Sequence, residues 1–250
     1  MKKTVLFFII LISLYSCDVL EDVAKTIEEN APLTEQEVVK GLKEALRVST
    51  DTAVSIVSVS NGFYKDRLIK ILLPPEAKVI TDNMNNQLLK AIGVNKLIDD
   101  VVLRMNRAAE NASKEATPIF INAIKSLSIQ DAFNILNGTD TAATHYFSQK
   151  TYNQLKSRFK PKIRNSLNKP IVSGVSANKA WTTLTDGYNQ VATYVPGWKK
   201  VNTQLDDYVT RKALNGLFLK LAQEEKSIRN DPMARVNNIL KRVFGEKYNF

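Results

Sequence analysis

Cysteine and histidine are almost missing from this sequence: Cys17 and His145 each stand alone. A single cysteine excludes an internal disulfide, a cysteine-built zinc site and, if that thiol is itself modified, thiol catalysis. A single histidine cannot build a histidine-based metal centre. No Gly-x-Gly-x-x-Gly, P-loop or Gly-x-Ser-x-Gly motif occurs, so the glycine-rich phosphate cradles and the nucleophile elbow are absent too. Long apolar runs are missing beyond the first 14 residues, and a bilayer-spanning helix needs about 20. There is no solenoid-length repeat and no low-complexity tract. No metal and no cofactor are expected.

What is present begins at the N-terminus. Lys2 and Lys3 precede an apolar run over 4–14, and Leu14-Tyr15-Ser16-Cys17 closes it. A basic start, a short apolar centre and a small residue before the cut are the parts of a secretory signal. With cysteine at the junction, the pattern resembles a bacterial lipobox. Residues 1–16 are expected to be removed and the Cys17 thiol to carry diacylglycerol. Several chains anchor a protein stably where one does not. The mature chain would keep 33 basic residues against 25 acidic ones, a balance of +8. A chain of this size buries roughly 70% of its unfolded surface, so a true core is expected.

Hydrophobic periodicity predicts an all-α, multi-helix bundle of about 8–10 helices. Residues 17–33 read as the lipidated N-terminus with a short tether helix, and 34–250 as one helical domain. Thr34 and Glu37 fit a capping box ahead of a long helix that Asn61-Gly62 stops. Near 67–74 the pattern changes. Ile69, Ile71 and Leu73 alternate before Pro74-Pro75, which predicts a packed extended connection or a short strand. A helix is expected from Pro75 to about Ile92, and another from Val94 that Pro118 kinks or divides. Ser128 and Asp131 mark the start of a short helix ending at Asn137-Gly138. Thr139 or Asp140 is expected to cap the next, and Pro161 to open or interrupt a further segment. Residues 177–194 and 203–229 read as helices. A last helix is expected from Asp231-Pro232, with Val236, Leu240 and Val243 facing inward.

Few side chains offer chemistry. His145 is a lone candidate general base, though a partly exposed structural histidine is the simpler reading. Gly138, Thr139 and Thr141 lie where a helix N-terminus could hold an anion. A glycine stop followed by an N-cap explains them as well. Glu224 and Glu225 are adjacent and so point about 100° apart on a helix. Glu225 can pair with Arg229, and Arg107 with Glu110, along their own helices. If those helices pack together, Asn106, Arg107, Glu110, Glu224, Glu225 and Arg229 would form one polar network, structural or ligand-binding. Basic residues gather late in the chain, at Lys156, Arg158, Lys160, Lys162 and Arg164 and again at Lys241, Arg242 and Lys247. Such a face can attract anionic lipid. No nucleic-acid module accompanies it, and export argues against nucleic acid as a partner.

Together these runs resemble the bacterial family designated DUF4197. The matching stretches are Gly41-Leu42-Lys43-Glu44-Ala45-Leu46, Ile69-Lys70-Ile71-Leu72-Leu73-Pro74 and Asn106-Arg107-Ala108-Ala109-Glu110. Asp131-Ala132, Ile135-Leu136, Ala142-Ala143-Thr144 and Tyr146-Phe147 follow. The longest run extends from Tyr208-Val209-Thr210 through Gly216-Leu217-Phe218 and Glu224-Glu225-Lys226 to Ile228-Arg229, then Pro232, Ala234-Arg235 and Val243-Phe244-Gly245. The resemblance covers about residues 34 to 246. Asn215 stands where the family tends to have an acid, and Val236 where it tends to have threonine. The resemblance implies an exported, mostly helical protein, often a lipoprotein, and brings no activity, substrate or cofactor. Two functional expectations follow. The first is a lipid-anchored envelope protein facing the periplasm that binds a protein, lipid or cell-wall partner without catalysis. The alternative is an envelope hydrolase using Glu110, Glu224 or Glu225 as acid or base.

Overall fold

The computed structural model describes residues 32–83, 94–171 and 174–245. The expected tether helix and lipidation site, the end of the helix expected to reach Ile92, and Lys247 lie outside these residues. Two compact units divide the chain between Val38 and Val39. In the described part of the first, Thr34 and Glu37 form the expected capping box. The Thr34 amide donates to Glu37 Oε2 at 2.8 Å, and the Glu37 amide to Thr34 Oγ1 at 3.3 Å.

The second unit is all-α. Its elements are α1 (Glu35–Ser58, which begins in the first unit), α2 (Glu76–Asn83), α3 (Val94–Ser113), α4 (Ala116–Lys125) and α5 (Ile129–Leu136), followed by α6 (Ala142–Leu167), α7 (Ala177–Ala192), α8 (Leu205–Asn230) and α9 (Asn238–Gly245). The described residues contain no β-strand, only one isolated bridge between Pro170 and Ser176. α8 and α6 form the centre and α3 packs on both. Phe63, Phe120, Phe147, Phe159, Met105 and Leu214 fill the core with almost no exposure.

Each boundary has a local cause. α1 ends where Asn61 takes a left-handed φ of 71°. Gly62 follows, and a Cβ there would collide with the Ile56 carbonyl. Residues 67–69 form a turn, closed by the Lys70 amide donating to the Asp66 carbonyl at 2.9 Å, and only 70–74 run on as a connection without helix or strand pairing, so the extended reading holds for the second half of the segment alone. Pro118 divides the helix as expected. The break falls before Ala116, so Pro118 sits in the first turn of α4, where a missing N–H costs little. Ser128 and Asp131 form a full capping box on α5, whose bounds are those expected.

Three boundaries differ from expectation. α6 starts at Ala142 with Thr141 as N-cap, and no side chain of its own turn caps it. α6 also runs unbroken through Pro161. The buried positions Thr151, Leu155, Phe159, Ile163 and Leu167 recur every four residues across the proline, which itself faces solvent. Packing of that stripe outweighs the roughly 3 kcal/mol that an interior proline costs. Pro161→Ala is therefore expected to stabilise the protein by about 2 kcal/mol, after allowing for a looser unfolded chain. Thermal unfolding should show Tm rising by roughly 5 °C.

The third difference is at the C-terminus. The expected last helix is split into a 3₁₀ turn, Pro232–Ala234, and α9. Arg235 explains the split: its guanidinium donates back to the carbonyls of Ile228 and Arg229 at 3.1 and 2.9 Å, closing the end of α8. Val236, expected inward, is 68% exposed, while Leu240 and Val243 are buried as expected.

Candidate functional site

α3 carries Asn106, Arg107 and Glu110; Asn106 and Glu110 hold backbone, and Arg107 holds side chains. Asn106 is fully buried. Its Oδ1 accepts from the Ile71 amide at 2.9 Å, and its Nδ2 donates to the carbonyls of Ile71 at 2.8 Å and Val102 at 2.7 Å. Ile71 has no strand beside it, and the carboxamide supplies the pairing a strand would have supplied. Glu110 Oε1 accepts from the amides of Phe63 and Tyr64 at 3.2 and 3.3 Å. Its Oε2 takes Arg107 at 2.6 Å, and Arg107 in turn donates to Asn61 Oδ1 at 2.8 Å. The connection between α1 and α2 is thus strapped down from α3. α8 holds the same strap: Lys220 pairs with Asp66 at 2.6 Å, and the Tyr208 hydroxyl donates to the Leu72 carbonyl at 3.1 Å.

Glu225 and Arg229 do a related job between helix ends. Glu225 accepts from the Ala143 amide at 2.9 Å and from the Thr144 amide and hydroxyl, both at 2.8 Å. It therefore caps the N-terminus of α6 from another helix. Arg229 pairs with Glu225 at 3.0 Å and donates to the Ile135 and Leu136 carbonyls that end α5, at 2.7 and 3.1 Å. A carboxylate lies at one helix's N-terminus and a guanidinium at another's C-terminus, each matching the local dipole. An anion does occupy the turn after Gly138, but it is the protein's own. Gly138, Thr139 and Thr141 are exposed and take no part in holding it. The expected single network is two: among the described residues, no hydrogen bond or ion pair joins Arg107–Glu110 to Glu225–Arg229. The cavity beside Glu225 measures only about 10 Å³, room for one water at most.

Glu224 points elsewhere. It is half-buried, and burial raises its carboxyl pKa above the ordinary 4.5, with Lys220 pulling it back. His145 is exposed. Among the described residues, no group of three or more His, Cys, Asp or Glu side chains is placed to hold a metal. No described helix is long and apolar enough to cross a membrane.

The late basic run is not a free positive face. Lys160 pairs with Asp207 at 2.6 Å, Lys162 with Glu115 at 2.9 Å and Arg164 with Asp206 at 2.7 Å. An open groove of about 600 Å³ lies elsewhere, between α1, the end of α4 and the start of α9. Lys40, Lys43, Glu44 and Arg47 line one wall, and Ile121, Ile124 and Lys125 another, with Asn237 and Ile239 opposite. Arg47 is shared by Glu44 and Asp51 at 2.8 and 2.7 Å. Lys40, Lys43 and Lys125 have no carboxylate partner among the described residues. Lys43 donates only to the Lys125 carbonyl, at 3.5 Å. Sequence reasoning missed this site. The signal was the spacing of Lys40, Lys43 and Arg47, which repeats at 3 and 4 and so marks one helix face.

The fold and these sites define a helical domain in which Asn106, Glu110 and Glu225 serve the backbone of neighbouring elements, and in which a basic, apolar-walled groove opens to solvent. The chain belongs to the family described as Protein of unknown function (DUF4197), which it matches over residues 32–245. Comparison with curated proteins and with solved structures finds no match in either.

Proposed function

We propose that this protein is an envelope lipoprotein, anchored by lipid on Cys17 and facing the periplasm, that works by binding a partner rather than by catalysis. One observation carries the second half of that reading. Glu110 and Glu225, the carboxylates best placed by sequence to act as acid or base, each spend their oxygens on two backbone amides and an arginine. A general acid or base must reach a substrate proton within about 3 Å. Both are buried, at 4% and 5% exposure, and the cavity beside Glu225 is too small to admit a substrate. The lipobox-like Leu14-Tyr15-Ser16-Cys17 supports the anchored half.

Metabolic labelling with radioactive palmitate in cells producing the full chain tests the anchor. The wild-type protein should carry label and fractionate with membranes, and Cys17→Ala should lose the label. An unlabelled wild-type protein in the soluble fraction overturns the anchored reading.

A further inference from the structure

We propose that the groove between α1, α4 and α9 binds an anionic phospholipid. Lys40, Lys43 and Lys125 take the phosphate, and Ile121, Ile124 and Ile239 cover the first part of the acyl chains. The proposal rests on the membrane-anchored reading for the supply of lipid, but its site stands on the groove itself.

Charge is the first argument. The lining carries four cations and one carboxylate, and that carboxylate is taken by Arg47. Three ammonium groups therefore share one rim without compensation among the described residues, and an anion relieves their mutual repulsion. The walls are the second. Ile121 and Ile239 are half-exposed beside the buried Ile124. A free inorganic anion would satisfy the lysines and leave the isoleucines wet. A neutral apolar molecule would do the reverse. An anionic amphiphile satisfies both, and about 600 Å³ lies within the range of small-molecule sites, roughly 300–1,000 Å³. Chain length is the third. Lys40 follows Cys17 by 23 residues. An anchor at Cys17 would hold the groove within about 80 Å of the bilayer even with that stretch fully extended.

The test is native mass spectrometry of the full chain from nonionic detergent, with three probes. Dioctanoyl-phosphatidylglycerol should bind saturably with one lipid per chain. Dioctanoyl-phosphatidylcholine, with the same tails and no net charge, should bind at least tenfold more weakly. Glycerol phosphate, with the anion and no tails, should fail to displace the phosphatidylglycerol at equal concentration. The triple variant Lys40→Glu, Lys43→Glu, Lys125→Glu should lose at least tenfold in affinity. The exposed residues Lys114, Arg158 and Lys169 lie outside the groove, and replacing all three by glutamate makes the same change in net charge. That control should bind as wild type. Equal binding of the two lipids, displacement by glycerol phosphate, or an unaffected triple variant each overturns the proposal. A chain that takes no palmitate in cells yet binds phosphatidylglycerol here sinks the anchor and keeps the groove; the opposite pair of results does the reverse.

Discussion

Glu225→Ala is expected to cost about 3–5 kcal/mol of stability, because one substitution strips partners from four groups at once. Arg229 is left nine-tenths buried with no counter-charge. The amides of Ala143 and Thr144 and the Thr144 hydroxyl lose their acceptor. A protein of this length loses roughly 2–4 °C of Tm per kcal/mol, so the melting temperature should fall by about 6–20 °C. Glu225→Gln keeps one acceptor oxygen for the α6 amides and should recover part of the loss. Arg229→Met should cost less than Glu225→Ala, since the carboxylate it leaves still has three donors. A Glu225→Ala variant that melts within 2 °C of wild type would remove Glu225 as the cap of α6.

The neighbouring residue is the control. Glu224→Gln is expected to change stability by less than about 0.5 kcal/mol at neutral pH, in the stabilising direction. Burial raises the Glu224 pKa in the folded protein, so the folded state holds that proton more tightly than the unfolded chain. Its contribution is fully present below the unfolded value and is lost as pH rises through the folded one. The Gln variant should be flatter across that acid window. Two adjacent glutamates thus differ in effect because one is a helix cap and the other a half-buried lone acid.

How much of this was legible in the sequence depends on how far away each residue's partner lies. Capping boxes at Thr34 and Ser128 are read within four residues and appear where expected. So do the Arg107–Glu110 and Glu225–Arg229 pairs, each confined to one turn of one helix. The other partner of each pair was not legible. Glu225 reaches an amide 82 positions earlier and Asn106 one 35 positions earlier, and no periodicity records such contacts. Pro161 shows the opposite failure: a strong local signal lost to a stripe of buried side chains that only tertiary packing rewards. The basic run at 156–164 was visible, but the carboxylates that neutralise three of its members come from α8 and Glu115. The groove was missed for the same reason in reverse. Its lysines stand out only once Arg47 is seen to be paired while they have no carboxylate partner among the described residues.

Asn106 gives the second large effect. Asn106→Leu keeps side-chain volume close to the original and removes every hydrogen bond the carboxamide makes. Both polar groups of Ile71 are then left in a buried site without partners, since the extended connection has no strand beside it. At about 1–3 kcal/mol for each orphaned group, the expected loss is about 2–6 kcal/mol. The strap between α1 and α2 should loosen before the helices melt, because the ties that remain sit mostly to either side of Ile71: Glu110 and Arg107 near Asn61–Tyr64, and Tyr208 and Lys220 from α8. Lys65, Arg67 and Lys70 are exposed on that strap, so limited trypsin digestion reads its opening directly. The Leu variant should be cut there many times faster than wild type at a temperature where the helical circular dichroism is unchanged. Asn189 makes the matching clamp on Val201, accepting from its amide and donating to its carbonyl, both at 2.8 Å. That clamp is only partly buried, so water can replace a lost bond. Asn189→Leu should therefore cost clearly less than Asn106→Leu and leave the cleavage rate at 65–70 unchanged. Equal losses for the two asparagines would mean that burial does not set the strength of these clamps.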